Sequence, residues 1–251
     1  MPIVLIAGTV YPSCVSVNSG PFGIGWQENA KSPLLRFTIN IVESKILIQC
    51  EMETYDPAAD PSLYVTRALD LARAIVDPIA FTEGVGLLVY LDEIVLPGKE
   101  KVPLIHQHSK LKHICTAFAG DGLEELQKLS IQDPQLHRAL NDLVVSITFP
   151  GPALVNCARA IETLRRIMYP APDPSRKQGW QFMQQELHID SSYIRVVTDA
   201  SVEPRHGSRW KVDELLADKV IVHTWTIFNR YLEYRKNNNQ RLPASKFRLL
   251  V

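Results

Sequence analysis

The sequence predicts an α+β chain, with a mixed β-sheet region carrying one helix over residues 1–110 and an all-α helical bundle over residues 111–251. Three observations predict it. Apolar residues in the first region come in short runs or alternate with polar ones, which is the period of a strand. Beyond about residue 110 they recur every three or four positions, which is the period of a helix. Prolines punctuate this second region at helix-length intervals, and each removes a backbone donor and fixes φ.

The elements follow in chain order. Residues 2–7 form a compact apolar run, and residues 34–42 and 45–53 alternate around a short turn at Glu43-Ser44, which reads as a hairpin. Gly20-Pro21-Phe22-Gly23-Ile24-Gly25 reads as a turn: it is glycine-rich but lacks the Lys-Ser/Thr of a phosphate-binding loop and no helix start follows it. Asp60-Pro61-Ser62 opens a helix to about Ile79, with Leu63, Ala68, Leu71, Ala72, Ile75 and Val76 near helical spacing. Gly84 to Leu96 returns to strand, where Asp92 and Glu93 face opposite sides and make a poor acid/base pair. Helices are then expected over 122–131, 134–147, 152–168, 175–187, 191–200 and 209–236. Asp133-Pro134, Pro150-Gly151-Pro152, Pro170-Ala171-Pro172 and Pro204 separate them. In the last helix Leu216, Val220, His223, Ile227, Tyr231 and Tyr234 form one apolar stripe, with His223 a hydrogen-bonded core residue.

Composition excludes several functions. A length of 251 residues with 46% hydrophobic content suffices for a buried core. Lys+Arg and Asp+Glu are equal at 27 each, which argues against a broad basic surface for duplex DNA. Cys14, Cys50, Cys115 and Cys157 lie far apart, and no signal peptide or membrane-spanning stretch is visible. Reduced thiols in a cytoplasm fit this pattern.

The most reactive cluster is Arg205-His206-Gly207, in a loop ahead of the last helix. A guanidinium that stays charged can hold a phosphate, and an imidazole beside it can move a proton. Arg209 and Lys211 follow closely and are placed to hold flanking phosphates. Glu162 is a candidate to orient Arg205 or His206, although its spacing also suits a pair with Arg165 or Arg166 on its own helix. After Tyr234 the chain carries Arg235, Lys236, Arg241, Lys246 and Arg248 without an acid, so it either lies along a phosphate backbone or forms a solvated end. Tyr231 and Tyr234 beside it are candidates to stack on bases. A competing constellation is His106 and His108 with His113 and Cys115, whose spacing on an extended segment offers zinc ligands.

The segment Asn156-Cys157-Ala158-Arg159-Ala160-Ile161-Glu162-Thr163-Leu164-Arg165-Arg166, then Trp180 to Leu187, then Arg205-His206-Gly207 before a closing helix resembles HEPN-like helical domains over about residues 150–236. That resemblance implies a helical bundle that commonly dimerises, and many such domains are metal-independent ribonucleases of toxin or defence systems. Their signature is an Arg, often followed by Asn, with a His about four to six residues later near the start of the last long helix, whereas Arg205 and His206 are adjacent. The resemblance implies a homodimer that acts on RNA without a cofactor or metal, with Arg205, His206 and Glu162 as catalytic residues and Arg209, Lys211 and Tyr231 on the substrate. A non-catalytic dimerising module is the second expectation, and a zinc protein the third.

Overall fold

The computed structural model describes residues 1–27, 33–58, 60–104, 110–118, 122–148, 152–170, 176–206 and 214–251. It divides into two compact units, Met1–Ile105 and His106–Val251. The α+β class holds: the first unit is a curled antiparallel sheet and the second is helical.

The first unit contains β1 (Ile3–Tyr11), β2 (Ser19–Trp26), β3 (Leu35–Val42), β4 (Lys45–Met52), α1 (Ser62–Glu83), β5 (Leu88–Val95) and β6 (Lys101–Pro103). Its six strands run in the order β2-β3-β4-β1-β5-β6, and every neighbouring pair is antiparallel. The expected mixed sheet is therefore an antiparallel one. The alternation read from the sequence explains its core, since Phe37, Ile39 and Ile41 of β3 are buried with Ile46, Ile48 and Cys50 of β4.

Two strands escaped the sequence reading. The glycine-rich segment around Gly20 to Gly25 is not a turn but edge strand β2, paired with β3 alone and lacking a buried residue. An edge strand needs no apolar alternation and tolerates Pro21, which has no N–H to donate. The short β6 ends in Pro103 and is exposed throughout.

The expected hairpin joins β3 to β4 through Glu43 and Ser44, whose φ values of 48° and 64° are the left-handed pair that a tight two-residue turn requires. Side chains hold that turn: Asn18 Oδ1 accepts from Glu43 N–H at 2.8 Å, and Ser44 Oγ accepts from Val17 N–H at 3.0 Å while donating to the Val15 carbonyl at 2.6 Å. Helix α1 lays Tyr64, Ala68, Leu71, Ala72 and Val76 into this core. It runs past the expected stop near Ile79 because Pro78 removes only its own donor; Gly84 ends the helix in a left-handed cap, φ 64°.

The second unit contains α2 (Leu111–Ile114), α3 (Leu123–Gln132), α4 (Pro134–Thr148), α5 (Ala153–Met168), α6 (Arg176–Leu187), α7 (Ser191–Ala200), α8 (Val202–Arg205) and α9 (Glu214–Lys236). Helix starts follow the local chemistry. Asp133 Oδ1 accepts from Gln135 and Leu136 N–H at 3.0 and 3.1 Å ahead of α4, and Asp190 caps α7 through Ser192 N–H at 2.8 Å. Helix α5 is the centre of the bundle and touches α4, α6, α7, α8 and α9. Its stripe of Leu154, Cys157, Ile161 and Leu164 is fully buried, and Ala153, Ala158 and Ala160 let its neighbours approach closely. Among the described residues no helix is long and apolar enough to cross a membrane.

The end of the chain is packed rather than trailing. Leu250 bridges to Ile189, Leu242 is buried and its N–H donates to the Glu186 carbonyl, and Arg230 sits over the Phe247 ring at 4.9 Å. The basic residues Lys236, Arg241, Lys246 and Arg248 are exposed, as a solvated end requires, while the chain that carries them is packed on the bundle.

Asp142 of α4 is a buried carboxylate. Its side chain is 5% exposed, Oδ1 meets Arg159 Nη2 at 3.3 Å, and Oδ2 has no partner. Burial pushes its carboxyl above the ordinary range, and Arg159 offsets this in part. The folded state thus holds the proton more tightly than the unfolded chain. The stabilisation is fully present below the unfolded pKa and is lost as pH rises through the folded one. Asp142→Asn keeps an acceptor for Arg159 and removes the charge, so it is expected to raise the melting temperature at neutral pH and to flatten its decline above pH 4. Thermal melts of both proteins across pH 4 to 8 check this, and parallel curves would refute it.

Candidate functional site

Ser201 builds the local frame. Buried at the end of α7, it donates its hydroxyl to the Thr198 carbonyl at 2.7 Å, and its own carbonyl accepts from Arg205 N–H at 3.1 Å. The chain thereby makes the single turn α8, within which Pro204 sits without breaking it, and which delivers Arg205 and His206 at its end. His206 caps the turn: its N–H is shared between the Val202 and Glu203 carbonyls at 3.3 and 3.1 Å, and its side chain is exposed.

Arg205 turns toward α5. Its Nη1 and Nη2 reach Glu162 Oε1 at 3.3 and 3.4 Å, and Arg176 Nη2 at the start of α6 reaches the same oxygen at 3.2 Å. The expected partnership of Glu162 with Arg205 is therefore formed, and the alternative pair with Arg165 or Arg166 is replaced by one between helices. Arg176 was not foreseen, because nothing in linear spacing joins the first residue of α6 to the middle of α5. Two guanidiniums thus share one carboxylate oxygen. At side-chain exposures of 31% for Arg205, 23% for Glu162 and 69% for Arg176, these pairs orient more than they stabilise, contributing less than about 1 kcal/mol each.

Behind this pair lies a buried cation. Arg165 is 7% exposed, its guanidinium lies 5.4 Å over the Trp180 ring, and its Nε has no hydrogen-bond partner. Gly179 makes the room, since a Cβ there would sit 2.8 Å from Arg165 Nη1. Burial and the neighbouring Arg166 and Arg176 lower its pKa.

Other expected site residues fall elsewhere. Arg209 and Lys211 lie outside the described residues, as does Gly207. Tyr231 is wholly buried on the α9 stripe, where its hydroxyl accepts from Arg235 at 3.0 Å, so its ring stacks on no base. Tyr234 is likewise buried. His223 is half-buried and hydrogen-bonded, as expected, its Nδ1–H donating to the Lys219 carbonyl at 2.8 Å while the ring stacks on Tyr193 at 4.1 Å. Asp92 and Glu93 point apart, the first accepting from Thr9 Oγ1 at 3.0 Å and the second pairing with Lys101.

His106 and His108 lie outside the described residues. His113 sits in the helical turn α2 and not on an extended segment, so its side chain and that of Cys115 diverge. Among the described residues no group of three His, Cys, Asp or Glu is placed to hold a metal ion.

Residues 4–103 match the family model described as the N-terminal domain of a domain of unknown function (DUF8168), and residues 123–236 match the model of its C-terminal domain. No curated protein and no solved structure matches the chain.

Proposed function

We propose that the helical unit is a HEPN-like domain that binds RNA and cleaves its phosphodiester bonds without a metal ion. One observation carries this reading: Arg205 and Arg176 converge on Glu162 while His206, next in the chain, stands exposed on the same turn. His206 removes the proton from a ribose 2′-OH, the 2′ oxygen bonds to the adjacent phosphorus, and the bond to the 5′ oxygen breaks. The leaving oxygen takes a proton from an imidazolium or from water, giving a 2′,3′-cyclic phosphate and a 5′-OH end. Arg205 stabilises the charge that accumulates on the phosphorus oxygens, and Glu162 holds Arg205 in place.

Neighbours on one helical turn diverge by about 100°. A homodimer resolves this by presenting Arg205 of one subunit to His206 of the other. The setting is a cytoplasmic defence or toxin-like system.

Labelled single-stranded RNA incubated with the protein in excess chelator checks the proposal. Fragments ending in cyclic phosphate are expected; RNA left intact at every protein concentration would end the catalytic reading. A second reading is favoured by the pairing that already occupies the Arg205 guanidinium. It makes the domain a non-catalytic dimerising module, and binding of RNA without fragments, from a dimer in light scattering, is its signature.

A further inference from the structure

A cleft between α6 and α7 near Glu162 is left unused by the proposed chemistry. It has a volume of about 610 Å³ and is lined by Arg176, Lys177, Trp180, Gln184, Ser191 and Arg195 among others. That size suits a ligand as large as a nucleotide. Arg176 belongs to this lining and also to the pair on Glu162, so the cleft and the Arg205 turn are contiguous.

We propose that this cleft is a subsite for a nucleotide of single-stranded RNA flanking the scissile phosphate, with Lys177 and Arg195 on phosphate and Trp180 against the base. The inference rests on the RNA reading above and extends it to the substrate path. Cationic residues border the cleft, and among the described residues neither Lys177 nor Arg195 has a carboxylate within 4.0 Å. Asp190 feels Arg195, and its carboxylate is committed to capping α7, accepting from Ser192 N–H and Ser192 Oγ at 2.8 and 2.6 Å, while Asp199 and Glu203 border the neighbouring cleft on the other side of Arg195.

Trp180 supplies the aromatic face, and stacking on such a face is tolerant of base identity. The buried Arg165 packs over this ring and its Nε is unpartnered, so a fixed positive charge backs Trp180. The Gln184 amide adds a donor and an acceptor for a base edge. The surface that lines the cleft is chiefly apolar, which suits the face of a base, and Arg176, Lys177 and Arg195 border it with their charges.

The experiment measures anisotropy of a short labelled 2′-O-methyl oligouridylate, which lacks the nucleophile and so reports binding apart from cleavage. Lys177→Ala/Arg195→Ala is expected to weaken binding roughly tenfold and to make the salt dependence shallower by about 0.7 in log–log slope for each phosphate no longer neutralised. Lys99→Ala, in the other unit, is expected to match wild type. Lys177→Ala alone, at an exposed position, is expected to weaken binding about threefold and serves if the double variant fails to fold. Unchanged affinity and slope in the variants would overturn the subsite while leaving cleavage at Arg205 and His206 intact. Equal displacement of the probe by inorganic pyrophosphate and by uridylate would replace the nucleotide by a bare phosphate site. Binding by wild type with no cleavage of ordinary RNA would retain the subsite and remove the catalytic reading, whereas no binding at all would remove both.

Discussion

Gly8→Ala is expected to destabilise the sheet unit by about 3 kcal/mol, at the upper end of what overpacking costs. Gly8 lies in β1, the strand that β4 and β5 flank on either side. Its Cβ would fall well inside van der Waals contact with the Tyr90 carbonyl oxygen and 3.0 Å from Leu91 Cα, both of them backbone. No rotamer change relieves a backbone clash, so the variant must push β5 away from β1 or twist the ladder. The register between these strands already shifts at Ala7 and Gly8, with Ala7 opposite Glu93 and Gly8 opposite Leu91. Asp92 is the residue passed over, and its carboxylate accepts from Thr9 Oγ1 at 3.0 Å, tying the irregularity to β1. A methyl group at position 8 strains that tie directly. Gly23→Ala is the control, because a Cβ there meets nothing within 4 Å. It removes freedom from the unfolded chain and is expected to leave stability unchanged or raise it by about 0.5 kcal/mol. Thermal melts should separate the two variants by roughly 10 °C, and hydrogen exchange should localise the loss to β1 and β5. Matching melting curves would show that the sheet absorbs the extra carbon.

Legibility from the sequence followed burial. Strands β3 and β4 were visible because alternate residues enter the core, and α5 and α9 because an apolar face recurs at helical spacing. Strand β2 was not, since its residues are exposed or half-exposed and its place is fixed by ladder hydrogen bonds to β3 that leave no pattern in side chains. The same contrast runs through the site. Arg205 and His206 stood out as residue types, and Glu162 could be weighed as a partner, but Arg176 was hidden because α5 and α6 meet only through tertiary packing. Tyr231 was misassigned for a related reason: one stripe residue and one base-stacking residue look alike in sequence, and only burial tells them apart. The helical turn α2 likewise undid a metal spacing that assumed an extended chain.

His206→Ala is expected to lower RNA cleavage by about 10²- to 10⁴-fold, the usual contribution of a general acid or base. The substitution is unusually clean. His206 engages the fold through its N–H, shared between the Val202 and Glu203 carbonyls, and alanine retains that group. Its exposed ring leaves no buried cavity behind. Melting temperature should therefore stay within a degree or two of wild type, and RNA affinity should fall far less than the rate. Arg205→Ala is expected to cost about 10²-fold or more through weaker stabilisation of the phosphorus oxygens. It does not orphan Glu162, which keeps Arg176 at 3.2 Å. Arg205→Lys keeps the charge but not the planar fork, so it should recover only part of the rate. Glu162→Gln tests positioning: Arg205 would keep an acceptor and lose an ion pair, for a loss near tenfold in kcat with little change in KM. Added imidazole supplies the decisive measurement. It should restore a measurable fraction of cleavage to His206→Ala and none to Arg205→Ala, because only the first variant lacks a proton carrier. Equal rates in wild type and His206→Ala would exclude this histidine from the chemistry. The Glu162 cluster would then be an anchor for RNA or for a second subunit.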